Sequence, residues 1–293
     1  MMSSHVAILG PGLLGGSLAM ALRERSLARV SVWARRSAAV QEVRAKGCCD
    51  EASSDAPGIV AKADVVVFAT PIGAMPALAR EIAPHLKPGA LVTDVGSVKA
   101  GICATLGAIF AGSPADFIGS HPMAGSEQTG LASARPDLFD ASVCIVTPNS
   151  GSAESLVQRA SEFWRSVGCR VRVLSPAEHD AIVASISHLP HLLAAALVNS
   201  VMASTPSALD FCGPGFRDTT RVASGPPAMW SEILGENREA VRLSLDALIE
   251  KLRALSTLLA ANPPERDSLM HQFLTEAKAQ RDRLWQPKIS SDV

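Results

Sequence analysis

His5-Val6-Ala7-Ile8-Leu9-Gly10-Pro11-Gly12-Leu13-Leu14-Gly15-Gly16-Ser17-Leu18-Ala19-Met20-Ala21-Leu22 is the stretch that decides the fold. It begins as an apolar, β-branched run, passes through a G-x-G-x-x-G pattern, and ends with apolar side chains at helical spacing. Strand, tight turn and helix in that order give the glycines a specific meaning. They permit the turn, admit a pyrophosphate close to the backbone and let the helix pack on the strand. The unpaired N–H groups and partial positive charge at the start of the helix then favour phosphate. Gly10, Gly12, Leu13, Leu14 and Gly15 are therefore candidate dinucleotide-binding residues.

Working outward, further strands are expected at 30–33, 64–69, 91–94, 117–120, 143–147 and 170–174, with helices at 37–45 and 153–167. These strands show little polar alternation, as in a parallel sheet covered by helices on both faces. The alternation predicts a doubly wound, mainly parallel α/β domain of the Rossmann type over residues 1–174. After Ser175 the strand signal disappears. Residues 175–293 read as an all-α domain with helices at 180–187, 191–203, 228–261 and 265–284, and proline pairs at 226–227 and 263–264 as punctuation.

Composition narrows the class of partner. The 293 residues carry 27 basic and 28 acidic side chains, a net charge of -1, so there is no global field to attract nucleic acid or an anionic membrane. A small-molecule substrate is expected instead. Six cysteines show neither CxxC pairs nor zinc-ligand spacing, which fits reduced thiols in a cytoplasmic protein and no metal site. The start, MMSSHVAILG, lacks the basic segment and cleavage site of a secretory signal. The apolar run 192–202 is shorter than the ~20 residues needed to cross a bilayer and contains Asn199, so it reads as a core helix.

The end of the second strand bears on cofactor choice. An NAD site usually places Asp or Glu there for the ribose 2′-hydroxyl, whereas a 2′-phosphate needs cations and donors. The sequence offers Trp33-Ala34-Arg35-Arg36-Ser37, with no acid, two guanidiniums and a hydroxyl. Arg35, Arg36 and Ser37 therefore predict NADP; the alternative is NAD, with the arginines forming a solvated helix start. Ligands of open parallel sheets bind at the carboxyl edge, so Ala69, Thr70 and Pro71, and the loop from Asp94 through Ser97 to Lys99, should also face the cofactor.

Three later segments carry titratable groups: Gly119-Ser120-His121-Pro122-Met123-Ala124-Gly125-Ser126-Glu127, Ser187-His188-Leu189-Pro190-His191, and Phe216-Arg217-Asp218-Thr219-Thr220-Arg221. None has the HExxH or Cys/His spacing of a zinc site. In order with GPGLLGGS, ATP, DVGSVK and PAMW, these segments resemble the prephenate/arogenate dehydrogenase family of tyrosine biosynthesis, from His5 to about position 284. The resemblance is to the stand-alone form, without a regulatory ACT domain or a fused chorismate mutase.

That resemblance implies a 6-phosphogluconate-dehydrogenase-like helical domain, a homodimer joined through it, and oxidative decarboxylation of a cyclohexadienyl ring. By the same resemblance His121 is the base for the ring hydroxyl, which requires a neutral imidazole, and Ser97 orients it and touches substrate and nicotinamide. Arg221 holds a substrate carboxylate, His191 adds a contact, His188 supports it, Glu127 organises the pocket, and Trp230 lines it or packs as a core aromatic. Prephenate is the expected substrate, since no acid is placed for the ammonium of arogenate; arogenate or dual specificity stays open. Two other readings remain: a β-hydroxyacid dehydrogenase or pyrroline carboxylate reductase with the same architecture, and a dinucleotide-sensing protein without catalysis.

Overall fold

The structure, a computed structural model, describes residues 4–125 and 128–284. Six parallel strands make the first sheet: β1 Ser4–Leu9, β2 Ala28–Trp33, β3 Glu51–Ser53, β4 Val65–Phe68, β5 Leu91–Asp94 and β6 Asp116–Phe117, in the order β3-β2-β1-β4-β5-β6. Alternate residues of β1 serve two cores. Val6 and Ile8 pack with Leu18, Leu22, Val30 and Val40 on one face, and Ala7 and Leu9 pack with Ile59, Phe68, Met75 and Ile82 on the other. Burial of both faces explains the nearly unbroken apolar runs.

The register aligns the carboxyl ends that matter. Leu9 pairs with Trp33 on one side and with Phe68 on the other, and Phe68 pairs with Asp94. The glycine turn, the Arg35–Arg36 segment, the Ala69-Thr70-Pro71 loop and the Asp94–Lys99 loop thus emerge from one edge. The doubly wound expectation is met there.

The strand expected at 117–120 is divided. Ile118 still donates its N–H to Val92 O at 2.9 Å, after which the chain leaves for a second sheet of β7 Gly119–Pro122, β8 Val143–Thr147 and β9 Arg170–Val173. β7 runs antiparallel to β8, and β8 parallel to β9. Gly119 is required at the crossing because a Cβ there would lie 2.4 Å from Cys103 Sγ and 2.5 Å from Thr147 Oγ1. β3, with its exposed Glu51, carries no hydrophobic signal and was not anticipated.

From Ser175 the chain is helical. Ser175 and Glu178 form a reciprocal capping box that opens helix Pro176–Val183; a π turn, Ala184–His188, follows, then helix Leu189–Ser204. This continuous run of 29 residues, Pro176–Ser204, is long and apolar enough by composition to cross a membrane, unlike its expected 192–202 portion alone. Its first part buries His179, Asp180, His188 and His191, but of residues 192–202, expected as a core helix, only Ala194 is buried. The single helix expected over 228–261 is two, Pro227–Glu236 and Arg238–Ala260, interrupted at Asn237. The last helix is Glu265–Arg283. By compactness the chain divides into two units, Met1–Val241 and Arg242–Val293. Every group of the site described below lies in the first, and the second is built from the rest of the long helix and the last helix.

Candidate active site

The glycine turn has the form that a dinucleotide needs. Gly10 sits at φ +114°, and a Cβ on it would lie 2.6 Å from Ala69 O; Gly10 N–H donates to Trp33 O at 3.0 Å, tying the turn to the end of β2. At Gly15 a Cβ would come 2.0 Å from Gly10 O, so helix Leu13–Glu24 packs against the turn only through glycine. Gly12, the N-cap of that helix, is different: a Cβ there would meet nothing within 4 Å. Open space over a helix N-terminus is what a pyrophosphate requires. Leu13 and Leu14 begin the helix, half-buried against the core. Ala69, Thr70 and Pro71 adjoin the same turn, and Thr70 Oγ1 is buried without a partner among the described residues. Arg35, Arg36 and Ser37 are exposed beyond β2, with Arg36 at the N-cap of the next helix. These residues fit a nicotinamide dinucleotide.

Beside that edge, β7 carries a buried histidine. His121 is 7% exposed, and its Nδ1 lies 2.8 Å from Nε2 of His179. His179 Nδ1 in turn lies 2.7 Å from Asp180 Oδ1. The Asp180 carboxylate also accepts the backbone N–H of Lys99 at 2.7 Å and of Ala100 at 2.8 Å. Beneath the same loop, Lys99 Nζ and Asp94 form an ion pair with no exposed side-chain surface. Asp94 further accepts the N–H of Gly96 at 2.8 Å and of Ser120 at 3.0 Å, so the buried carboxylate has backbone donors besides the ammonium. Ser97 is half-buried in this loop, and its backbone faces His188.

The helical region closes the site from the other side. At about 100° per residue, His179 and His188 on one straight helix would face opposite ways. The wider π turn between them reduces that rotation, and Asn237 bridges Asp180 and His188, donating from Nδ2 to Asp180 O at 2.8 Å and to His188 Nδ1 at 3.1 Å. His188 meets Trp230 edge-on at 6.2 Å, and Trp230 stacks on His191 with centroids 3.6 Å apart and planes at 11°. Gly225 allows this stack, since a Cβ there would fall 2.4 Å from Trp230 Nε1. The backbone of Val222, next to Arg221, lies against His191, and the Arg221 side chain is exposed. One connected path therefore runs His121, His179, Asp180, Asn237, His188, Trp230, His191. Glu127 lies outside the described residues.

Burial keeps the histidines of this path neutral, while Asp180 is its one carboxylate. Burial pushes the His121 pKa well below its ordinary value, and nearby His179, Lys99 and His188 push the same way. Burial brings His188 down to about 4, against the opposing pull of Asp180. His179 and His191 are lowered by burial too. Burial alone would raise Asp180; hydrogen bonds from His179, Ala100 and Lys99 outweigh it and hold the carboxyl below its usual range. A neutral imidazole can accept a proton, and burial together with the buried cation beside it keeps the His121 ring in that form. Among the described residues no cluster of His, Cys, Asp or Glu is arranged to hold a metal.

His179, Asp180 and Asn237 carry no signal of this role in the sequence; Asp94 and Lys99 were expected in a loop facing the cofactor, but their side chains are instead buried in an ion pair with each other. The capping box S-P-A-E at 175–178 could have placed His179 and Asp180 on the first turn of a helix; nothing local reveals that they turn toward His121.

A parallel dinucleotide sheet whose carboxyl edge meets a neutral imidazole and a histidine-lined helical wall defines a nicotinamide-dependent dehydrogenase. Family models extend that conclusion over most of the chain: the prephenate dehydrogenase nucleotide-binding domain matches residues 18–173 and the prephenate dehydrogenase dimerization domain residues 175–275. The chain belongs to the prephenate dehydrogenase family, NAD(P)-dependent oxidoreductases that act by oxidative decarboxylation. It is 31% identical to a cyclohexadienyl dehydrogenase of Zymomonas mobilis over 94% of each chain, and 31% identical to a prephenate dehydrogenase of Bacillus subtilis over 97% of this chain and 76% of that one. Among solved structures, prephenate dehydrogenase from A. aeolicus in complex with hydroxyphenyl propionate and NAD+ superposes with a TM-score of 0.89 at 28% identity, covering 97% of this chain and 99% of that one. Synechocystis arogenate dehydrogenase gives 0.81 at 29% identity, covering 96% and 99%. A 3-hydroxyisobutyrate dehydrogenase from Mycobacterium tuberculosis shares the fold at a TM-score of 0.58 and 17% identity.

Proposed function

We propose that the protein oxidatively decarboxylates prephenate to 4-hydroxyphenylpyruvate, with NADP as the preferred dinucleotide. The observation that carries this reading is the buried His121 ring, its pKa held low and its Nδ1 engaged by His179. His121 Nε2 accepts the proton of the ring hydroxyl as the carbon bearing it is oxidised. Arg221 pairs with a substrate carboxylate through its planar fork, and the Trp230–His191 stack with His188 forms an uncharged wall against the ring. Ser97 lies on the loop shared by cofactor edge and substrate wall, which supports a contact to both; Glu127, from the segment after His121, is assigned to the pocket by resemblance alone. When bound, the dinucleotide supplies the hydride acceptor; Gly10, Gly12, Leu13, Leu14, Gly15, Ala69, Thr70 and Pro71 hold it, with Arg35, Arg36 and Ser37 toward the 2′-phosphate.

Residues 1–174 serve as the dinucleotide domain and 175–293 as the substrate and dimer domain, a division supported by family models that abut at 173 and 175. Exposed Ile186 and Leu197 on the central helical run, together with the dimerization-domain match, support a homodimer. The reaction on a free metabolite and the reduced cysteines support a cytoplasmic location. Arogenate, or both substrates, is the second reading, favoured by the full-length similarity to a cyclohexadienyl dehydrogenase. Reduced-nicotinamide absorbance with each substrate and each dinucleotide tests the proposal. The highest kcat/KM should belong to prephenate with NADP; a strong NAD preference would remove the role of Arg35 and Arg36, and activity with neither substrate would refute the function.

A further inference from the structure

We propose that His179 and Asp180 are positioning residues that fix the tautomer of His121 and support the charge it acquires; the proposal rests on His121 being the base. Asp180 already accepts two backbone N–H groups, from Lys99 and Ala100, and its carboxylate faces His179 Nδ1 at 2.7 Å. A carboxylate ringed by donors is ionised, so His179 must present Nδ1–H to it. His179 Nε2 is then a lone pair, and His121 Nδ1, at 2.8 Å, must be the donor. That leaves the lone pair of His121 on Nε2, the nitrogen not occupied by His179.

The proton balance follows directly. His121 Nε2 takes up the substrate hydroxyl proton, becoming an imidazolium. Its Nδ1–H bond to His179 becomes charge-assisted, and His179 is polarised by the Asp180 carboxylate behind it. No proton need move along the path. Three elements set the field around His121: the Asp94–Lys99 loop contributes a cation already paired with Asp94, the helix from Pro176 contributes His179 and Asp180, and the π turn contributes neutral His188. Among the described residues only His179, backed by Asp180, offers the His121 side chain an acceptor.

The discriminating comparison is His179→Phe against His179→Gln. Glutamine can accept from His121 through Oε1 and donate to Asp180 through Nε2; phenylalanine does neither. His179→Phe should lower kcat by a factor on the order of 10 to 10³, leave the KM for dinucleotide unchanged, and move the acid limb of the kcat profile to lower pH because the imidazolium has lost its support. His179→Gln should recover most of that loss. Equal defects in both variants, or a Phe variant with native kcat and pH profile, would overturn the proposal. The unsubstituted protein gives an independent readout: long-range ¹H–¹⁵N spectra of histidine-labelled enzyme, with His121→Asn used to identify the resonance, should show neutral His121 protonated on Nδ1. Protonation on Nε2 would overturn the proposal even if no His179 variant folds. If His121→Asn itself stays active, the base assignment fails; if it is inactive while His179→Phe is not, only the positioning role fails.

Discussion

Acidification should destabilise this protein well before its carboxylates titrate, and His188 shows by how much. Its ring has no exposed surface, and its Nδ1 receives a hydrogen bond from Asn237. Protonation would set a donor against that donor, in a place shielded from water. Burial accordingly takes the pKa down to about 4 from 6.5. Since the unfolded chain binds this proton more readily, stability is full above the unfolded value near 6.5 and declines as pH falls toward the folded one. At pH 5 that linkage is worth about 2 kcal/mol, rising toward roughly 3 kcal/mol below pH 4, at about 1.36 kcal/mol per unit. For a chain of this size 2 kcal/mol corresponds to a Tm lower by roughly 4 to 8 °C. Thermal melts at pH 8, 7, 6 and 5, on the native protein and on His188→Gln, read this directly. The native Tm should fall across that window; the variant should fall less because it lacks the His188 proton, yet not stay flat, since His121 and His179 still contribute. A flat native profile, or a variant that falls as steeply as the native protein, would refute the reasoning.

The glycine turn separates folding from binding. Gly12→Ala should keep its Tm, since the added Cβ meets nothing within 4 Å, yet raise the dinucleotide KM at least about tenfold by obstructing the pyrophosphate's approach; an unchanged KM would move the phosphate site elsewhere. Gly15→Ala, with a Cβ 2.0 Å from Gly10 O, should destabilise by about 2 kcal/mol or more through overpacking, visible in denaturant unfolding. Gly225→Ala should displace Trp230 from His191 and raise the substrate KM while leaving the dinucleotide KM alone, as steady-state kinetics would show. Arg221→Ala should likewise act mainly on substrate KM, and an unaltered value would contradict its pairing with a carboxylate.

Much of the frame was legible because the signals were local. The run His5–Leu9, the glycines after it and the apolar strands beyond announce a dinucleotide sheet through patterns that recur within a few residues. The active centre is legible only in part. His121, His188, His191, Arg221 and Trp230 stand out through their motifs, whereas His179, Asp180 and Asn237 act by long-range contact. Their partners lie 58, 81 and 49 residues away. Asn237 looks like one residue of a continuous amphipathic helix; only the fold shows the helix breaking there so that the amide can reach Asp180 and His188. The division of β6 from β7 was hidden for a related reason. It depends on how closely Gly119 passes Cys103 and Thr147, which no window of sequence contains.

The central claim is that a neutral imidazole at position 121 removes the hydroxyl proton. It is tested most directly by His121→Asn, with single-turnover rates and dinucleotide affinity measured on the same preparation. The account requires the chemical step to slow by a factor on the order of 10² to 10⁴ while the dinucleotide binds as before. A variant that turns over at close to the native rate would contradict it.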